Sequence, residues 1–125
     1  MSATLYLVEL TVSDWPAALA WYAEVLGVQP ALRVEGDRFA LFQAGPSRLA
    51  LKQGQARAGS VLLTLEVADL AAKLASLESR GIRPEGPVKT SPEGYRRAML
   101  RDPDGHRLSL FEWCDPSGRT PAPGA

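Results

Sequence analysis

The sequence contains the same pattern once in each half, and this duplication restricts the possible folds more than any other feature. The repeat units are expected at about residues 5–53 and 60–114. The second unit has a longer middle, for which a loop is expected at residues 86–94. The matches follow the same order in both copies: Val12-Ser13-Asp14 with Val67-Ala68-Asp69, Gly27 with Gly81, Pro30 with Pro84, and residues 48–51 with residues 107–110.

Each copy has the sequence pattern of a strand, a helix and three further strands. Residues 8–12 alternate between apolar and polar side chains, which is typical of a half-buried strand, and residues 63–67 repeat the alternation. Turn-forming residues, including Gly45-Pro46 and the segment 102–105, separate the later strands. Those strands are expected near residues 32–34, 39–42 and 48–52 in the first copy and near residues 83–84, 97–101 and 107–113 in the second.

A helix is expected after the first strand of each copy. Ser13 or Asp14 begins the first helix and Asp69 the second, because a side-chain oxygen at this position can accept a hydrogen bond from a backbone N–H of the first turn. Gly27 and Gly81 stand at helical spacing after the apolar stripes, where a glycine ends a helix. The sequence therefore predicts an α+β fold built from two tandem βαβββ units, with the helices outside.

Side chains alternate between the two faces of a strand, so each sheet has one face toward its helix and one away from it. Apolar side chains such as Leu10 and Leu65 are expected beneath the helices. The opposite faces of the two units are expected to join into a curved, partly polar trough, and such a mixed lining is typical of a small-molecule site. Phe42 is placed there on the assumption that the third strand follows the repeat. The candidate ligand-binding residues are Glu9, Thr11, Phe42, Arg48, Thr64, Glu66, Arg97, Met99, Arg107, Ser109 and Phe111.

Composition excludes several classes of function. The chain has 125 residues, which suits a single domain, and its 14 basic side chains balance 14 acidic ones, so no global positive field favours a nucleic acid. No apolar run is long enough for a membrane span and no secretory signal is recognised, so a cytoplasmic location is expected. Residues 1–114 are expected to form the domain, and the proline- and glycine-rich residues 115–125 a flexible tail.

The single histidine and the single cysteine exclude a cluster of imidazole ligands and an internal disulfide. His106 follows a turn and is expected to face the solvent, and Cys114 is expected to be a passive thiol at the edge of the last strand. Trp15, Trp21 and Tyr22 fall at helical spacing and are expected between the helix and the sheet.

Four segments together resemble the vicinal oxygen chelate superfamily, which includes glyoxalase I, extradiol dioxygenases, methylmalonyl-CoA epimerase and the bleomycin-resistance proteins. The residues that carry the resemblance are 12–14 leading into 21–27, and 101–106, with the Asp-Pro-Asp-Gly turn, leading into 108–112. The resemblance covers roughly residues 5 to 114. It implies the two-unit fold but decides little about activity, because the superfamily is functionally diverse.

In metal-using members the ligands lie on the first and last strands of each unit, and the corresponding positions here are Leu7, Ala50, Leu62 and Ser109. These side chains lack the imidazole, carboxylate and thiolate donors that Fe, Mn, Ni and Zn require. The resemblance therefore implies the family scaffold without a metal or other cofactor. It is nearest to the bleomycin-resistance branch, to which residues 93–97 are also similar.

Three functions remain open at this point. The first is a metal-free binding protein that sequesters a small molecule, such as an antibiotic or another amphipathic or aromatic ligand. The alternative is a lyase, isomerase or dioxygenase-like enzyme that uses Glu9 or noncanonical metal donors. The third is a small interaction protein whose trough merely forms a dimer. A homodimer is expected, because superfamily members of this length usually pair and exposed sheet edges favour pairing.

Glu9 and Glu66 are the best-placed polar groups for a ligand, since matching strands are expected to direct both into the trough. In a partly desolvated cavity either carboxylate could act as a general base. We favour the other interpretation, in which ion pairs stiffen the trough. The arginines expected as partners are Arg48, Arg97, Arg101 or Arg107.

Overall fold

The computed structural model of the protein describes residues 5–59 and 61–114. Within them the chain forms two compact units. One unit comprises residues 5–58 and Asp102–Asp104, and the other comprises residues 59, 61–101 and 105–114. The expected flexible tail, residues 115–125, lies outside the described residues.

The first unit consists of one helix, one 3-10 turn and a four-stranded sheet. Its elements are β1 (Val8–Val12), α1 (Trp15–Leu26), β2 (Leu32–Val34), the 3-10 turn (Glu35–Asp37), β3 (Phe39–Ala44) and β4 (Ser47–Gln53). The strand order in the sheet is β1-β4-β3-β2. β1 is parallel to β4, and the other neighbours are antiparallel.

The second unit repeats this arrangement. Its elements are β5 (Leu62–Glu66), α2 (Leu70–Glu78), β6 (Glu85–Ser91), β7 (Tyr95–Arg101) and β8 (Arg107–Trp113). The strand order is β5-β8-β7-β6, again with one parallel pair, β5 with β8. The predicted α+β fold of two tandem βαβββ units is thus confirmed. Neither α1 nor α2 is long and apolar enough to cross a membrane.

An aspartate begins each helix, as the sequence predicts. The Ala17 N–H donates to Asp14 Oδ1 at 3.2 Å, and the Ala72 N–H donates to Asp69 Oδ1 at 3.0 Å. Between the two candidates for the first helix, Asp14 is therefore the cap. α1 ends at Gly27, whose φ of 74° lies in the left-handed region that glycine adopts without strain.

The last strand of each sheet supplies a second acceptor to the same helix end. The Trp15 N–H donates to Gln53 Oε1 at 2.8 Å, and the Leu70 N–H donates to Glu112 Oε1 at 2.9 Å. Gln53 and Glu112 therefore lie on the helix-facing side of their sheets. Because strand side chains alternate, this contact fixes which residues of β4 and β8 face the helices.

The helix-facing positions form the apolar core of each unit. In the first unit Leu51 pairs with Leu10 on one side and Ala40 on the other, and all three are buried. In the second unit Leu110 pairs in the same way with Leu65 and Ala98. The alternation of side chains along the first and last strands of each copy thus separates the two faces of each sheet as expected.

The expected position of Phe42 is wrong. Phe42 pairs with Leu49 in the β3–β4 ladder, so it lies on the side of the sheet that packs against α1, and none of it is exposed. The residues of β3 on the opposite face are instead Phe39, Leu41 and Gln43, which pair with Lys52, Ala50 and Arg48. Phe42 is therefore a core residue and is removed from the candidate ligand-binding set.

The second strand of the second unit also differs from the expectation. No strand forms at residues 83–84; β6 takes up Glu85–Ser91, most of the segment for which a loop is expected. The register between β6 and β7 shifts between Glu85 and Lys89, with Gly86 at a φ of 74°. Pro87 has no N–H to donate, and it is accommodated because β6 is an edge strand with a bulge.

The predictions for the lone histidine and the first helix have mixed outcomes. His106 is only 4% exposed, so the expectation of a solvent-facing side chain is wrong. Trp15 and Tyr22 are buried as expected, whereas Trp21 is partly exposed and contacts the Tyr22 ring edge to face. Cys114 is a partly exposed free thiol, and its N–H donates to the Gly94 carbonyl at 2.8 Å.

Candidate functional site

The face of the first sheet that points away from α1 carries polar groups around an apolar centre. Glu9 is exposed and pairs in register with Ala50, which is completely buried. Arg48 lies at the end of this face, with its guanidinium carbon 4.4 Å from the centroid of the Tyr6 ring. An Arg48 Nη1–H also donates to the Tyr6 carbonyl at 3.4 Å, so the arginine is held by stacking and by hydrogen bonding.

Thr11 lies on the same face of β1 and is partly buried. A Cβ on Gly54 would come within 2.8 Å of Thr11 Cγ2, so the absence of a side chain at Gly54 leaves room for the threonine. The close approach follows from the chain path, because the Gly54 N–H donates to the Val12 carbonyl at 2.9 Å.

The face of the second sheet that points away from α2 holds most of the candidate ligand-binding residues. Ser109 lies at its centre, 2% exposed, between Thr64 on β5 and Met99 on β7. Two residues further along β8, Phe111 lies on the same face and pairs with Glu66 on one side and Arg97 on the other. The predicted residues that share this face are Thr64, Glu66, Arg97, Met99, Arg107, Ser109 and Phe111.

An aromatic cluster stands at one end of this face, and of its members only Phe111 belongs to the predicted ligand-binding residues, while Trp113 at the end of the last strand is expected to cover either the trough or a partner surface. Tyr95, Phe111 and Trp113 contact one another edge to face, with ring centroids 5.2 to 6.0 Å apart. All three are only partly buried. The sequence held the signal, since Tyr95 and Trp113 each lie two residues from a predicted site residue on the same strand, Arg97 and Phe111.

Within its own unit, neither Glu9 nor Glu66 forms the ion pair with an arginine that the favoured interpretation predicts. Both glutamates are exposed, and no ion pair of the described residues includes either of them. Arg101 instead pairs with Glu85, with its Nε 2.7 Å from Oε2. Both carboxylates are therefore open to solvent and to a ligand.

The positions at which the resemblance implies metal ligands do not fit a transition metal. Leu7 and Leu62 are hydrocarbon side chains, and Ala50 has no functional group at all. Only the hydroxyl of Ser109 is polar, and it is not a donor on which such sites are built. Over the part of the chain that the structure describes, no group of three or more His, Cys, Asp or Glu side chains could hold a metal ion.

The Asp-Pro-Asp-Gly turn has a structural role in the first unit. The buried Tyr22 hydroxyl of α1 donates to Asp102 Oδ2 at 2.7 Å, and the Asp104 N–H donates to Asp102 Oδ1 at 2.9 Å. The Ser13 N–H and hydroxyl both donate to the Asp104 carboxylate. Burial, followed by the hydrogen bond to Asp102, raises the pKa of the Tyr22 hydroxyl above its ordinary value, so Tyr22 stays a neutral donor.

Solved structures with the same fold include bacterial proteins. A glyoxalase/bleomycin resistance protein from Catenulispora acidiphila is 32% identical, with a TM-score of 0.71 over 87% of this chain and 98% of that one. A lactoylglutathione lyase from Agrobacterium tumefaciens is 20% identical, with a TM-score of 0.73 over 90% of this chain and 95% of the other. At that identity the second likeness shows the fold alone.

Sequence comparison leads to the same family. No curated protein resembles the chain closely enough to count as a match. The model of the family described as Glyoxalase/Bleomycin resistance protein/Dioxygenase superfamily matches residues 4–110, which is most of the sequence. Together with the repeated βαβββ topology, this match establishes that the chain belongs to the glyoxalase/bleomycin resistance protein/dioxygenase superfamily.

Proposed function

We propose that the protein binds a small molecule on the sheet face that points away from α2 and sequesters it without transforming it. The observation that carries the proposal is the chemistry of that face. It combines the aromatic cluster of Tyr95, Phe111 and Trp113 with the charged side chains of Glu66 and Arg97. The metal-ligand positions implied by the family offer no donor set for a metal, so no metal-dependent step is derived.

The lining of this face suggests which ligand it selects. Aromatic and apolar surface provides most of the affinity, at about 25 cal/mol for each Å² removed from water. Arg97 offers a planar fork for a carboxylate or phosphate and can also stack on a ring. Glu66 accepts hydrogen bonds from a donor group. A planar or amphipathic molecule with at least one polar handle is therefore expected, bound at roughly micromolar strength, or about −8 kcal/mol.

The first test separates a binding protein from the enzymatic alternative that uses noncanonical metal donors such as Glu9 and Glu66. The protein, purified from rich medium and dialysed against a mild chelator, is expected to carry far less than one transition-metal ion per chain. The reason is that Leu7, Ala50, Leu62 and Ser109 cannot replace the missing donors. Elemental analysis by mass spectrometry measures the content. Stoichiometric Fe, Mn, Ni or Zn after dialysis would overturn the metal-free assignment.

The second test identifies the ligand and locates it. Thermal-shift screening against antibiotics, aromatic acids and coenzyme A thioesters is expected to yield a compound that stabilises the protein. Glu66→Gln should then weaken its binding by about 1–3 kcal/mol, because a charge-assisted hydrogen bond is lost.

Glu78→Gln is the matched control, since Glu78 is likewise an exposed carboxylate and lies at the end of α2. It should leave the affinity unchanged. Equal effects of the two variants, or no stabilising compound in the screen, would contradict binding at this face. A homodimer remains a prediction that sedimentation can check.

A further inference from the structure

A cleft lies in the second unit, on the helix-facing side of its sheet. It has a volume of about 400 Å³ and lies beside the start of α2. Its position on the helix-facing side follows from Glu112, which accepts a hydrogen bond from the Leu70 N–H and lies opposite Arg96 in the ladder. The lining residues are Ala68, Asp69, Leu70, Ala71, Val88, Arg96 and Glu112.

The internal repeat shows what occupies the equivalent place in the first unit. Trp15 and Leu70 are the first residues of their helices, and each donates its N–H to the last strand of its sheet. The acceptor Gln53 thus corresponds to Glu112. Gln53 lies beside Arg38, whose carbonyl accepts the Gln53 N–H at 3.0 Å, just as Glu112 lies opposite Arg96. Arg38 and Arg96 are therefore equivalent.

In the first unit the indole of Trp15 fills this place. Trp15 is 2% exposed, and two guanidinium groups lie over its ring, with the Arg33 carbon 5.5 Å and the Arg38 carbon 6.0 Å from the ring centroid. In the second unit the edge strand contributes Val88 to the lining, one residue before Lys89, which pairs with Arg97. The second unit thus keeps the arginine and the acceptor on the last strand but has the smaller Leu70 in place of the tryptophan.

We propose that the cleft binds a neutral, planar heteroaromatic molecule of about the size of an indole, which takes the place that Trp15 fills in the first unit. Leu70 and Val88 both line the cleft, and Val88, which is 43% exposed, provides most of the open apolar surface, because only 2% of Leu70 is exposed. Arg96 provides a cation to stack on the ring, as Arg38 does on Trp15. Its guanidinium is oriented by Glu112, with Nη2 3.5 Å from Oε2.

The charges around the cleft favour a neutral ring that carries an N–H group. Asp69 and Glu112 place two carboxylates in the lining, which disfavour an anionic ligand and can accept from an N–H donor. Arg96 disfavours a cationic ring. Glu112 stands where the first unit has the neutral Gln53, so the second unit has a charged carboxylate in place of an amide, next to the position where it has Leu70 instead of Trp15.

The test is a titration of the isotope-labelled protein with indole, followed by NMR. Saturable shifts of the backbone amides of Leu70, Val88 and Arg96 are expected. Indole-3-acetate, which adds a negative charge beside Asp69 and Glu112, should bind about tenfold more weakly, the effect of roughly 1.4 kcal/mol of unfavourable charge. The absence of a saturable shift at these amides would overturn the proposal.

Two variants fill the cleft from opposite sides. Leu70→Trp gives the second unit the side chain of the first, and Val88→Trp fills the cleft from the exposed edge strand, where it does not threaten the core. Each should weaken indole binding by about tenfold or more. Indole shifts that persist in both variants would refute the site, and Val88→Trp alone decides if Leu70→Trp does not fold.

A further variant keeps this proposal distinct from ligand binding on the opposite face. Phe111→Leu removes one ring of the aromatic cluster and leaves the cleft intact, so it should retain full affinity for indole. If Phe111→Leu abolishes the shifts, indole binds at the aromatic cluster and the cleft assignment is wrong.

Discussion

Replacing Phe42 with alanine is expected to lower the free energy of unfolding by about 3–5 kcal/mol, the usual cost of truncating a buried aromatic side chain. Phe42 is completely buried between its sheet and α1 and pairs with Leu49. Its removal leaves a cavity that close-packed neighbours fill only in part. Chemical denaturation followed by circular dichroism measures the change.

Phe39→Ala is the matched control, because Phe39 belongs to the same strand but points to the opposite face and is partly exposed. Phe39→Ala should lower the free energy of unfolding clearly less than Phe42→Ala does, because Phe39 has less buried apolar surface to lose and its removal leaves no closed cavity. Equal costs for the two variants would mean that the faces of β3 are assigned the wrong way round.

The topology was predictable because the local signals agree in both copies. Asp14 and Asp69 begin helices, Gly27 ends one, and the strands before them alternate cleanly. Consistent local signals of this kind are what make a fold readable from sequence. The repeat then gave a second, independent instance of the same pattern.

The face of β3 was not predictable in the same way. Residues 39–42 are Phe-Ala-Leu-Phe, an apolar run in which alternation cannot distinguish the two faces. The register with β4 decides the matter, and it is set by the tight turn that pairs Ala44 with Ser47. A shift of one residue would have exchanged Phe42 with its neighbours.

β6 was missed for a related reason. Gly86 and Pro87 are signals for a loop, and a proline in a central strand would remove a ladder hydrogen bond. The edge position of β6 removes that penalty, but edge and centre are properties of the sheet rather than of the segment. The extra length of the second copy is taken up by this bulged strand.

The cleft shows what a repeat can and cannot reveal before the register is known. The exchange of Trp15 for Leu70 is visible in the sequence, because both follow the capping aspartate. The equivalence of Arg38 and Arg96 is not visible in the sequence, because the spacing between the copies changes along the chain. Only the pairing of these arginines with β4 and β8 aligns them.

Tyr22→Phe is expected to lower the free energy of unfolding by about 1–3 kcal/mol, because a buried acceptor loses a hydrogen-bond donor. The Tyr22 hydroxyl donates to Asp102 Oδ2 at 2.7 Å, and both residues are buried. Tyr95→Phe is the control, since Tyr95 is only partly buried and keeps its ring contacts without the hydroxyl. Tyr95→Phe should lower the free energy of unfolding by well below 1–3 kcal/mol, which is the range for a buried group that is left without a hydrogen bond.

Because of the same hydrogen bond, the difference in unfolding free energy between the parent protein and Tyr22→Phe should change with pH in the alkaline range. Burial and Asp102 raise the pKa of Tyr22 in the folded state above its ordinary value of 10.0. Above that pH the unfolded chain ionises this tyrosine while the folded chain keeps it protonated, so the stabilisation is complete below about pH 10 and declines as the pH rises further. The gap in unfolding free energy between the parent protein and Tyr22→Phe should therefore narrow between about pH 9 and pH 11. A gap that stays constant or widens across this interval would show that the folded state does not hold Tyr22 as a neutral donor to Asp102.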